Sequence, residues 1–171
     1  MREHEVIREE LIGEAFDLIY LTAAYGAPDS VKYHSEDLFV DEAYERIPWL
    51  LKKRLISISG IIRNTIFENE PINAAGEDWD QFTKRRVGTI EIDGSKSEEL
   101  YFKSACDKLI HSRCIYFSDL GDPQHDANFD VARVEGVAQN KKGWVANINI
   151  PLFAAAVYLS VDEWCKMELE P

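Results

Sequence analysis

Two runs, Val131-Ala-Arg-Val-Glu-Gly-Val-Ala138 and Trp144-Val-Ala-Asn-Ile-Asn-Ile150, flank Lys141-Lys142-Gly143. In the second run Trp144, Ala146, Ile148 and Ile150 alternate with Val145, Asn147 and Asn149. That is the period of a strand with one buried face, and the pair reads as a β-hairpin. Its reading decides the fold, because most of what precedes it has helical periodicity. Just upstream, Ile115-Tyr116-Phe117 reads as a short strand, and Ser118 to Asn128, with Gly121 and Pro123, as an acidic loop. Downstream, Pro151 suits the first turn of a closing helix with Phe153, Val157 and Trp164 near one face. Ser160 and Glu163 form a capping-box pair at which that helix can break.

Near the start of the chain Ile7, Leu11, Ala15, Ile19 and Ala23 recur every four residues, with Ile12, Phe16 and Tyr20 beside them. The spacing predicts a helix from about Glu3 to Tyr25 with a wide apolar face, stopped by Gly26 and Pro28. A second helical region starts near Asp37 or Asp41 and is divided at Pro48, where a backbone donor is lost. From Pro48 to about Glu68, Leu51, Leu55, Ile58, Ile62 and Ile66 form a seam. Gly60 either weakens this helix by about 1 kcal/mol relative to Ala or marks close packing. Asn69 to Gly76 reads as a loop. Residues 79–94 read two ways: Trp79 to Arg86 as a short helix, and Val87 to Ile92 as a weakly alternating run ending in the turn pair Asp93-Gly94. Ser95 and Glu98 predict a capped helix running to about Ser112. The expected architecture is a single α+β domain, mainly α. A helical bundle over about 3–113 precedes a small C-terminal antiparallel β-hairpin or sheet and a closing helix over about 114–171.

With 171 residues the chain has the length of one domain, and 46 % apolar residues suffice for a core. The net charge is −12, carried unevenly: −8 over residues 1–50, +1 over 51–113 and −5 over 114–171. That balance argues against a nucleic-acid coat and leaves room for a phosphate-sized site in the middle third. No run of 18 apolar residues is present, so no membrane span is expected. The acidic amphipathic start is unlike a signal core, and Cys106, Cys114 and Cys165 are odd in number in apolar surroundings. Both features point to a cytoplasmic protein with reduced thiols.

Four constellations could carry chemistry. Asp107 lies four residues before His111 and Ser104 seven before, so all three share one helical face. A carboxylate there can fix the imidazole tautomer for acid–base work or phosphate binding; the same pattern also suits a plain polar helix edge, where His meets the dipole. Cys106, His111 and Cys114, with His125 downstream, offer soft metal ligands, but Cys106 sits on an apolar row and His111 on the polar side, so no metal or other cofactor is expected. Asp119, Asp122, Asp126 and Asp130 make an oxygen-rich loop without the EF-hand spacing. Lys52, Lys53, Arg54 and Arg63 on one helix, with Lys84, Arg85 and Arg86 on another segment and Lys108 beside His111, would bind a phosphate or an acidic partner if they met. Otherwise they pair with the carboxylates of the first helix.

The helix ending Leu109-Ile110-His111 resembles the HEPN superfamily, small helical domains many of which are RNases of toxin and defence systems. The resemblance implies that His111 is the catalytic or phosphate-contacting residue. The family signature sets an Arg four to six residues of any type before that His; here those positions are Ser104, Ala105 and Cys106. Two functions therefore stand. One is a small acidic interaction or regulatory protein of immunity, antitoxin or defence-accessory type, without complete catalytic machinery, that binds a basic protein partner or forms a homodimer through its first and last helices. The other is a HEPN-like enzyme directed at RNA or a nucleotide, with His111 and Asp107 at its centre. They separate on whether Lys52, Arg54, Arg63 or Arg85 comes within about 6 Å of His111, where it would supply the charge stabilisation that the broken signature lacks.

Overall fold

The computed structural model describes residues 3–25, 38–68, 84–117, 130–138 and 140–169. The elements run α1 (Glu3–Tyr25), α2 (Leu38–Ile62), a π-helical turn (Arg63–Phe67), β1 (Arg86–Ile92), β2 (Glu98–Tyr101), α3 (Phe102–Ile110), β3 (Cys114–Phe117), β4 (Val131–Val137), β5 (Gly143–Asn149) and α4 (Ile150–Leu169). None of these helices is long and apolar enough to cross a membrane.

The hairpin β4–β5 is present, but it is no small appendage to a helical bundle. It forms the middle of a five-stranded antiparallel sheet of order β2-β1-β5-β4-β3. This corrects the mainly helical architecture, because two strands arise from 86–101, inside the stretch expected to be helical. Val87 to Ile92 is a strand, and Asp93 (φ 56°) with Gly94 (φ 71°) makes the left-handed pair that a tight hairpin turn requires. Ser95 closes that turn instead of capping a helix: its N–H donates to the Ile92 carbonyl, and its hydroxyl accepts from the Ile92 N–H. Glu98 therefore enters β2, and the helix expected from Ser95 begins only at Phe102.

Register makes the sheet two-faced. Ile90, Ala146, Val134 and Ile115 stand in one row across β1, β5, β4 and β3, and all are buried. The next row, Thr89, Asn147, Arg133 and Tyr116, faces the other way. The buried row joins Leu11, Leu18, Leu51, Leu55, Phe102 and Trp164 from the helices in one core. Phe102 meets Phe67 and Phe153 edge-on, at centroid distances of 5.9 and 5.3 Å, which fixes α3 between the π turn and α4.

Two expected breaks do not occur. Pro48 lies inside α2. Its interior cost of about 3 kcal/mol is outweighed downstream by fully buried Leu51, Leu55, Ile58 and Ile62, worth about 1.5–3 kcal/mol each. Helix α4 also runs unbroken through Ser160, which is buried in the core rather than capping a new helix. Gly60 does not mark close packing, since a Cβ there would meet nothing within 4 Å.

Candidate functional site

The end of α2 sets the first part of the site. Its last turn widens into the π turn, in which the Glu68 N–H donates to the Arg63 carbonyl at 2.9 Å. Ile66 and Phe67 turn into the core while Arg63 stays at the surface. Insertions of this kind re-aim one side chain without ending the helix. Arg63 thereby reaches α3: its Nη1 lies 3.2 Å from His111 Nε2 and 3.5 Å from Asp107 Oδ1, and its Nε lies 3.7 Å from Glu68 Oε1. A guanidinium only donates, so Nε2 must accept, which requires a neutral imidazole with its proton on Nδ1. Asp107 meets His111 along the backbone, accepting its N–H at 3.0 Å, while its carboxylate meets the same guanidinium.

His111, Asp107 and Lys108 form one wall of an open cleft of about 650 Å³, and Val137, Asn140 and Trp144 of the β4–β5 hairpin line the other. Trp144 is the paired partner of Gly136, and a Cβ on Gly136 would collide with the indole, so glycine there is what seats the ring. Lys108 Nζ lies 4.6 Å from the indole centroid, a cation–π contact that holds the lysine along the cleft wall. The local charges balance, with Arg63 and Lys108 against Asp107 and Glu68. Chemically the arrangement offers an accepting and donating imidazole beside a guanidinium. It does not offer a net positive pocket.

The other candidate cations go elsewhere. Arg54 pairs with Glu14 and, at 2.8 Å, with Asp17 of α1. Arg86 pairs with Glu99 across β1 and β2 at 3.1 Å. Lys52 is exposed on α2, Lys53 lies over the Trp49 ring, and Arg85 is half-buried with its carbonyl accepting the Phe102 N–H. Cys106 is fully buried beside Ser59, and burial pushes its thiol well up, away from nucleophilic use, whereas His111 is exposed. Among the described residues no group of three His, Cys, Asp or Glu is placed to hold a metal ion. His125, Asp119, Asp122 and Asp126, together with the expected loop at 69–76 and the short helix at 79–86 up to Thr83, lie outside the described residues. Sequence reasoning missed Trp144 and Asn140 as cleft walls; the signal was the glycine opposite the tryptophan in the hairpin.

A second region contrasts with the cleft. Leu11, Ala15 and Leu18 of α1 are buried, but the neighbouring row is not: Phe16 is 52 % exposed, Ile19 43 % and Tyr20 71 %. Helix α4 continues the surface with Tyr158 at 43 %. Between them lies an almost wholly apolar groove of about 330 Å³, with Ile12, Phe16 and Ile19 on one side and Ala155, Tyr158 and Leu159 on the other.

Compared with known proteins, the chain matches no family model, no curated protein and no solved structure.

Proposed function

We propose that this chain acts by docking, as an interaction or regulatory protein whose working surface is the α1–α4 face. The observation that supports it is the exposed Phe16, Ile19, Tyr20 and Tyr158 around an apolar groove. Contiguous apolar surface of this kind marks interaction sites, whereas scattered exposed apolar residues need no explanation. The net charge of −12 suits a soluble chain that is kept off nucleic acid. The test replaces Tyr20 by a photo-reactive phenylalanine analogue in the native host. Cross-linking to a protein in stoichiometric amount is expected, and recovery of uncross-linked chain alone would sink this reading.

One observation favours a second reading, HEPN-like chemistry on RNA or a nucleotide. Arg63 reaches His111 from another helix, within the 6 Å that would replace the missing Arg of the signature. There His111 would move a proton and Arg63 would neutralise phosphate charge. Against it stand the paired state of Arg63 and a sheet that the resemblance does not imply. An RNA cleavage assay decides: loss of activity in His111→Ala supports it, and equal activity, or none in either protein, overturns it.

A further inference from the structure

We infer that the His111 cleft is a binding site for a small carboxylic acid with an apolar body, held by Lys108, His111 and Asn140. Neither functional reading above is needed for this. An acid can be held there without RNA being cut and without a protein docking on α1 and α4.

The cleft is open and holds about 650 Å³, a size common for small-molecule sites. Its polar groups are engaged unevenly. On the accepting side, His111 Nε2 takes the Arg63 guanidinium at 3.2 Å, and Asn140 Oδ1 takes the Lys142 N–H at 3.2 Å. Asp107 Oδ1 faces the same guanidinium at 3.5 Å. The first two contacts each leave a donor over. A neutral imidazole that accepts at Nε2 carries its proton on Nδ1, and an amide that accepts through Oδ1 keeps both of its N–H groups. Among the described residues, neither the His111 Nδ1–H nor the Asn140 amide N–H groups meet an acceptor. Lys108 stands over the Trp144 ring at 4.6 Å and, among the same residues, meets no carboxylate. Donors from both walls of one cleft, one of them charged, suit a ligand group with two accepting oxygens.

Charge decides between a carboxylate and a phosphate. Arg63 and Lys108 offset Asp107 and Glu68, so the four groups sum to zero. Arg63 is shared by both carboxylates, which leaves Lys108 as the cation that answers an incoming anion. It can meet one negative charge. The second charge of a phosphate monoester at neutral pH would face Asp107 without a counter-ion.

The remaining lining sets the body of the ligand. Val137, Ala138 and Trp144 present apolar groups to the cleft. The indole also holds the Lys108 side chain in place, which lowers the freedom lost when a ligand binds.

The test is an NMR titration of the nitrogen-labelled full chain with sodium benzoate. Saturable shifts are expected at the amides of Lys108, His111 and Asn140, with a Kd on the order of 1–10 mM for so small a probe. Benzamide has the same ring without the charge and should bind at least about tenfold more weakly, a comparison that needs no variant. Lys108→Met keeps the stem and removes the charge, and it should weaken benzoate by at least about tenfold. His111→Phe keeps a ring and removes the Nδ1–H, and a loss of about threefold to tenfold is expected. Lys52→Met, on the exposed side of α2, should leave binding unchanged. No saturable shift up to about 50 mM benzoate overturns the inference. So do shifts confined to α1 and α4, equal binding of benzamide, or binding that survives Lys108→Met. Inorganic phosphate held more tightly than benzoate would also overturn it, and would favour the phosphate chemistry of the second functional reading instead.

Discussion

The His111 cleft and the α1–α4 face are both exposed, yet they are satisfied in different ways. Every charge recorded in the cleft has a counter-charge or an aromatic ring beside it. Exposed ion pairs of this sort contribute only about 0–1 kcal/mol each, so the cleft adds little to the stability of the fold. The apolar face has no such resource. Each 100 Å² of it left in water forgoes about 2.5 kcal/mol, which only burial recovers. A polar surface can be complete in the isolated chain, whereas an apolar one gains from being covered. For this reason the functional proposal rests on α1 and α4 although the titratable chemistry lies at His111.

The comparison breaks most sharply if the two regions prove to be coupled. Gly136→Val tests this with the largest expected effect. The added side chain would enter the space of the Trp144 ring, pushing the indole off its seat and taking Lys108 with it. Overpacking of a buried site costs about 1–3 kcal/mol, and the displaced ring places this variant at the upper end. Chemical denaturation should show the loss, while the yield of cross-linking from a photo-reactive group at position 20 stays within about twofold of the parent protein at temperatures where the variant is folded. Joint loss of both would show that the cleft and the face are one cooperative surface.

Individual helices and the β4–β5 hairpin were legible in the sequence, the five-stranded sheet was not, and the failures have physical causes. The four-residue row through Ile7, Leu11, Ala15, Ile19 and Ala23 showed a helix, although its buried stripe runs through Leu11, Ala15 and Leu18 and leaves Ile19 exposed, and the alternation from Trp144 to Ile150 showed a strand. Both signals are long enough to average out local noise. The strand β2 has four residues, of which only Leu100 is buried, so its period could not be seen. Ser95 and Glu98 also carried a helix-start pattern, which the left-handed Asp93-Gly94 turn overrode. At the site, Asp107 and His111 were legible because they are four residues apart on one helix. Arg63 entered only as one of several distant cations. What brings it 48 positions along the chain to His111 is the π turn, and no spacing rule encodes that turn.

A medium effect of opposite sign sharpens the contrast from the helical side. Gly60 lies in the right-handed part of α2, one turn before Arg63, and a Cβ there meets nothing within 4 Å. Gly60→Ala should therefore stabilise the chain by about 0.5–1 kcal/mol by reducing the freedom of the unfolded state. A rise in melting temperature with unchanged cross-linking from position 20 is expected. A fall would mean that α2 needs the glycine to reach the π turn, and that the cleft is held under more constraint than its exposed ion pairs suggest.

The smallest expected change in stability is at Arg63 itself. Arg63→Met removes the contacts to His111, Asp107 and Glu68 and keeps most of the stem, so unfolding free energy should move by less than about 1 kcal/mol. The informative readout is the ring. While the guanidinium donates to Nε2, the neutral imidazole must carry its proton on Nδ1, whereas a solvated neutral histidine is free to place it on Nε2. Nitrogen NMR of the His111 side chain at a pH where it is neutral should show the Nδ1–H form in wild type and a shift toward the Nε2–H form in the variant. A ring that already carries its proton on Nε2 in wild type would mean that Arg63 does not hold it in solution. The cleft would then be a plain polar helix edge, and the second functional reading would lose the one contact that supports it.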